Sequence, residues 1–117
     1  MKEELKRKTK NFAIDNFRLC QTLPIEFIDY KRQLIRCSSS VGANYGAACR
    51  AKSTKDFIYK LKIVEEELDE SLFFNEIITE LWKELNPKWK EVYKEGDQLL
   101  AIIVKSITTL KQKLRQS

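Results

Sequence analysis

A heptad repeat in the middle of the sequence is the feature that most constrains the fold. Its positions alternate steps of four and three residues: Phe57, Leu61, Val64, Leu68, Ser71, Asn75, Ile78 and Trp82. This spacing places one continuous seam along an amphipathic helix. The repeat predicts a helix over residues 54–85, which must bury its seam against other helices and therefore favours an all-α fold.

Three more helical patterns occupy the rest of the chain, at residues 8–22, 25–50 and 88–114. Pro24 and Asn86-Pro87 separate them, because proline disfavours helical geometry in the residue before it and suits the first turn of the next helix. Only 3 glycines and 2 prolines occur, which is typical of a helical protein. We therefore predict an all-α, antiparallel up-and-down four-helix bundle that forms one domain over residues 1–117.

The first predicted helix has an inward stripe, and the residues before it do not. That stripe comprises Phe12, Ala13, Asn16, Phe17, Leu19, Cys20 and Leu23. Residues 1–10 are basic and lack apolar periodicity, so we interpret them as a frayed helix start or a solvated arm. Their lysines and arginine are nevertheless available to contact phosphate.

Small side chains dominate the second half of the second helix, including Gly42 and Gly46 one turn apart. An interior glycine costs a helix about 1 kcal/mol relative to alanine, so something should offset the loss. Close packing between helices of the bundle is one explanation. Contact of this face with another subunit or a nucleic-acid backbone is the other, and the sequence leaves both open. Ser53, followed by Asp56, then predicts the N-cap of the third helix.

The stretch Leu34–Leu72 resembles a known family in its small patch around Ala43-Asn44, its basic link Arg50–Ser53, its helix start at Asp56 and its acidic turn up to Glu70. That bacterial four-helix-bundle family is named for proteins encoded in intervening sequences of 23S rRNA genes. It includes the accessory variability proteins of diversity-generating retroelements. The resemblance implies the same bundle and a ring-shaped homo-oligomer, commonly a pentamer.

Two family features are replaced in this chain, and one partner class comes only from the resemblance. Gly42 stands where many members carry proline, and Gly46 or Ala47 stands where they carry glutamate. No role of that glutamate is therefore transferred. The retroelement members are understood to bind nucleic acid and a reverse transcriptase, so these become expected partners.

The sequence argues against an enzyme. It contains no histidine, which excludes Ser-His and Cys-His nucleophile pairs and histidine metal sites. It shows no glycine-rich phosphate loop and no converging carboxylate pair, and Ser38, Ser39 and Ser40 have no identifiable general base. The run Glu65 to Glu70 reads as a solvated acidic face. We expect no cofactor and no metal. Cys20, Cys37 and Cys49 lack metal or redox spacing and are interpreted as reduced, buried thiols.

Charge is distributed unevenly along the chain. Residues 1–62 carry 14 basic and 6 acidic side chains, residues 63–94 carry 4 and 9, and residues 95–117 carry 4 and 2. The predicted nucleic-acid-binding residues are Lys31, Arg32, Arg36, Arg50, Lys52, Lys55, Lys60 and Lys62. They would present a basic surface to structured RNA or an RNA–DNA hybrid. The alternative is a protein–protein interaction scaffold that binds an acidic partner and no nucleic acid.

Two further expectations concern assembly and location. The later half of the third helix is apolar over more of its circumference than one core requires, which favours a homo-oligomer. No apolar run approaches a membrane span, and the basic start lacks the apolar stretch of a signal peptide. We therefore expect a cytoplasmic protein without membrane contact.

Overall fold

Four helices run alternately up and down in the computed structural model, which describes residues 1–83 and 86–117. They are α1 Lys2–Cys20, α2 Ile28–Ala48, α3 Thr54–Leu81 and α4 Lys88–Gln116, with a short 3-10 helix at Ile25–Phe27 leading into α2. Each helix packs against the next, and α1 closes the bundle more loosely against α4. The bundle measures 52 × 22 × 20 Å. The predicted antiparallel four-helix bundle is confirmed.

The heptad seam of α3 forms the centre of the core. Leu61, Val64, Leu68 and Ile78 are at most 1% exposed. The two polar seam positions are also buried and satisfied: Ser71 Oγ donates to the Glu67 carbonyl at 2.8 Å. Likewise, Asn75 Nδ2 donates to the Trp89 carbonyl of α4 at 3.4 Å. Burying each leucine- or valine-sized side chain stabilises the fold by about 1.5–3 kcal/mol, so this seam is a main source of stability.

The connection into α3 begins at the predicted cap. Ser53 Oγ accepts a hydrogen bond from the Asp56 N–H at 3.1 Å. The Asp56 carboxylate accepts one from the Lys52 N–H at 3.3 Å, one residue before the usual partner in a capping box. At the other end, α3 stops at Leu81 because Trp82 adopts an extended conformation. The end predicted at residue 85 lies outside the described residues.

α1 begins six residues earlier than predicted, and the solvated-arm interpretation of residues 1–10 is wrong. Leu5 is 4% exposed and Thr9 is fully buried, in register with Phe12. Thr9 extends the inward stripe although it is polar, because its hydroxyl donates to the Lys6 carbonyl at 3.1 Å. Phe17 is a second correction: the stripe was expected to bury it, but it is 48% exposed.

Gly96 is the glycine that close packing requires. A Cβ there would lie 2.8 Å from Cε1 of Phe12 and 2.9 Å from Cδ2 of Leu72, well inside normal contact. At Gly42 the added atom would meet Thr9 at an ordinary 3.5 Å, and at Gly46 it would meet nothing within 4 Å. The packing explanation therefore applies weakly to Gly42 and not to Gly46.

The three cysteines are free thiols in the described structure, as predicted. Cys20 and Cys37 are buried and Cys49 is half-buried. Burial raises the pKa of Cys20 to about 12. Burial also raises the pKa of Cys37, whose sulfur lies 3.3 Å from Ser71 Oγ. Both thiols therefore stay protonated at neutral pH and act as small core side chains.

Candidate nucleic-acid interface

Four helix termini meet at one end of the bundle. Because the helices alternate in direction, the starts of α1 and α3 lie beside the ends of α2 and α4. The Lys2 ammonium sits 5.1 Å from the ring centroid of Phe57, which joins the starts of α1 and α3. Lys62 of α3 lies against Lys111 of α4, which joins the start of α3 to the end of α4. Segments far apart in the sequence thus form one surface.

This end concentrates the positive charge of the protein. Residues 1–10, 49–62 and 105–117, which we call the basic end, carry 14 basic and 3 acidic side chains, a net charge of +11. The remainder carries 8 basic and 14 acidic side chains, a net charge of −6, and together they give the overall +5. The charge is therefore separated along the long axis of the bundle, which is the distribution expected of an electrostatic contact surface.

Five of the eight predicted binding residues lie at the basic end. They are Arg50 and Lys52 in the link between α2 and α3, and Lys55, Lys60 and Lys62 in the first turns of α3. All except Lys60 are exposed. Lys60 is half-buried and pairs with Asp56 at 3.6 Å, a partly solvated i, i+4 pair of small energetic value. The structure therefore places these five cations at the same end of the bundle.

The other three predicted residues, Lys31, Arg32 and Arg36, lie elsewhere along α2. Arg36 precedes Arg50 by 14 residues, which is about 21 Å along a helix. Its guanidinium bridges to Glu67 at 3.3 Å and Glu70 at 2.9 Å on α3. The hydrogen bond that Arg36 donates to Glu70 is the main cause of the raised pKa of Arg36. Arg36 is thus engaged within the bundle. The acidic run Glu65 to Glu70 was expected to be a solvated face, but the side chain of Glu67 is only 15% exposed.

The basic end also contains cations that are not among the eight predicted binding residues. They are Lys2, Lys6, Arg7, Lys8 and Lys10 of α1, and Lys105, Lys111, Lys113 and Arg115 of α4. Contact with Lys62, followed by repulsion from its charge, lowers the pKa of Lys111. Such crowding of like charges favours an external anion. The α4 cations had a sufficient local explanation at a helix C-terminus, so only the assembled fold reveals their shared surface.

A groove between α1 and α2 borders the basic end, which contributes its three cations. Its volume is about 370 Å³. Its lining combines three cations with small side chains: Lys6, Lys10, Ala13, Ser39, Gly42, Ala43, Gly46 and Arg50. The small residues leave the backbone of α2 accessible between the cations. This arrangement is able to hold an anion close to the helix surface.

A second groove, of about 560 Å³, separates α1 from α4 and holds a carboxylate pair that the sequence analysis did not foresee. Desolvation raises the pKa of Glu95, and its neighbour Asp15 raises it further. The expectation of no converging carboxylate pair is therefore wrong. The groove also contains Arg7, Lys8 and Arg18, so its charges are mixed.

The sequence matches the family of 23S rRNA-intervening sequence proteins over residues 1–109. The chain belongs to this family. The resemblance inferred from Leu34–Leu72 is thereby confirmed and extends over nearly the whole chain. No curated protein matches the chain significantly.

A crystal structure of another bacterial protein has the same fold. It is a protein of unknown function from the S23 ribosomal protein family of Bacteroides thetaiotaomicron VPI-5482. The two chains are 25% identical and superpose with a TM-score of 0.82, over 92% of this chain and 99% of the other. The similarity fixes the bundle and leaves the function of this family member to be argued from its surface. Among the described helices, none is long and apolar enough to cross a membrane.

Proposed function

We propose that this protein is a non-enzymatic accessory protein that binds nucleic acid through its basic end. The observation that carries the proposal is the separation of charge, with +11 on the basic end and −6 on the rest of the chain. A phosphate backbone is a regular array of negative charges, and several weak, salt-sensitive contacts to it add together. Structured RNA or an RNA–DNA hybrid is the expected ligand.

Contact with phosphates would be governed by charge and shape rather than by base sequence. Arg50, Lys52 and Lys55 are exposed on long side chains at the tip of the bundle. Contacts of this kind position a protein on the backbone and carry no sequence information directly. The retroelement relatives add a reverse transcriptase as an expected partner in the same complex.

A homo-oligomer, a pentamer by resemblance, would repeat the basic end and increase its avidity. Exposed apolar side chains on α3 support the assembly: Phe73 is 57% exposed and Leu81 is 60% exposed. Ile25, which precedes α2, is 74% exposed. Side chains of this size gain free energy when a neighbouring subunit covers them.

Fluorescence-anisotropy titrations with a structured RNA and a DNA duplex, over a series of salt concentrations, test the binding function. The wild-type protein should bind at micromolar concentration or tighter, with affinity that falls steeply as salt rises. The double variant Arg50→Ala/Lys52→Ala should reduce the slope of log affinity against log salt by about 2, because two phosphate contacts are lost.

Lys31→Ala/Arg32→Ala is the matched control. It removes the same charge from α2 but outside the basic end, so it should leave the salt slope nearly unchanged. Equal effects of the two double variants would contradict the assignment of the basic end. Absence of any binding by a folded, oligomeric wild-type protein at low salt would exclude the nucleic-acid function and favour a scaffold for an acidic protein.

A further inference from the structure

The groove between α1 and α2 presents positive charge that the described chain does not neutralise. Lys6 and Lys10 are one helical turn apart on α1 and line one side, and Arg50 lines the other. Among the described residues, Lys10 and Arg50 form no ion pair. Lys6 has only the exposed Glu3, at 3.4 Å, a pair that contributes little.

The floor of the groove gives a ligand close access to these cations. Gly42, Ala43 and Gly46 expose the surface of α2 between the charged side chains. Packing within the chain does not require glycine at position 46, because an added Cβ would meet nothing within 4 Å. Ser39 adds a hydroxyl donor on the same floor. Hydroxyls and cations are the usual protein partners of phosphate oxygens.

We propose that this groove receives the sugar–phosphate backbone of the bound nucleic acid, with Lys6, Lys10 and Arg50 contacting its phosphates. The inference rests on the proposed function and assigns α1 a direct role in it. The described lining contains no aromatic side chain on which a base could stack. The contacts are therefore electrostatic, and binding through the groove is independent of base sequence.

Two double variants of α1 test the assignment, with the same RNA and DNA anisotropy titrations. Lys6→Ala/Lys10→Ala removes the two groove cations. Arg7→Ala/Lys8→Ala removes the same charge from the same turns, but on the side that lines the α1–α4 groove. The first variant should lose about tenfold in affinity and reduce the salt slope by about 2, and the second should change both much less.

A substitution in the floor provides an independent test without touching the cations. Gly46→Glu places a negative charge in the groove, and Gly46→Gln places a neutral side chain of nearly the same size there. The glutamate variant should bind RNA more weakly than the glutamine variant, and the gap should narrow at high salt. Circular dichroism should show unchanged helicity in both variants.

The outcomes separate the inference from the proposed function. If the wild-type protein binds RNA but the two α1 variants lose affinity equally, the groove is not the site, although the basic end still binds. Equal affinity of the Gly46→Glu and Gly46→Gln variants would contradict the groove in the same way. If the wild-type protein binds poly-glutamate and no nucleic acid, both proposals are wrong.

Discussion

Two glycines of this bundle differ in the space that surrounds them. Gly96 faces the Phe12 ring and the Leu72 side chain, both in the core, whereas Gly46 faces open space. Gly46→Ala should therefore stabilise the protein by about 0.5–1 kcal/mol, the gain in helix propensity. Gly96→Ala should destabilise it by roughly 1–2 kcal/mol, because overpacking a core outweighs the same gain.

Urea unfolding monitored by circular dichroism measures both variants of this matched pair. Equal stabilisation by the two alanines would show that the Phe12 and Leu72 side chains shift to accommodate the added methyl group without loss of stability. The sequence did not show which glycine the packing requires. The i, i+4 spacing of Gly42 and Gly46 suggested these two, whereas the close contact is at Gly96. Spacing within one helix does not show how closely another helix approaches Gly96.

The start of α3 depends on one side-chain cap, and its removal should be measurable. Ser53→Ala deletes the acceptor of the Asp56 N–H and should lower the free energy of unfolding by about 1 kcal/mol. Thr54→Ala, one residue later, is the control because Thr54 is exposed and makes no cap. Thermal and urea unfolding measure the stability of both variants. Equal free energies of unfolding in the two variants would contradict a stabilising contribution from the cap.

Whole elements were predictable where a pattern had a single interpretation. The heptad seam of α3 identified its buried face: the six seam positions from Leu61 to Ile78 are buried, whereas Phe57 and Trp82 at its ends are half-buried. The start of α1 was missed because Thr9, a polar residue, continues the stripe between Leu5 and Phe12, and a scan for apolar periodicity stops there. Phe17 was misplaced for the opposite reason. It is apolar, but it lies one turn after Ala13 on the face of α1 that lines the α1–α2 groove, outside the buried stripe, and is 48% exposed.

At the scale of the whole molecule, the candidate site was only half predictable. The basic link and the first turns of α3 are contiguous in sequence, so their cations were found together. The cations of α1 and α4 join them only because antiparallel helices bring distant termini to one end. Conversely, Arg36 was selected from its sequence neighbours, and the fold pairs it with Glu67 and Glu70. Topology, rather than local composition, decides which charges share a surface.

Because positive charge is concentrated at the basic end, the effect of a charge substitution on stability should depend on where it lies and on the salt concentration. Lys111→Glu replaces a repulsive neighbour of Lys62 and Arg115 with an attractive one, so it should raise the melting temperature at low salt. Lys94→Glu makes the same charge change beside Glu91 and Asp97 of α4, outside the basic end, and should lower it. Both differences should shrink at high salt, because screening shortens the range of the field to a few ångströms. Scanning calorimetry at low and high ionic strength measures the melting temperatures of both variants. Shifts of the same sign in the two variants would mean that the net charge, and not its placement at the basic end, governs stability.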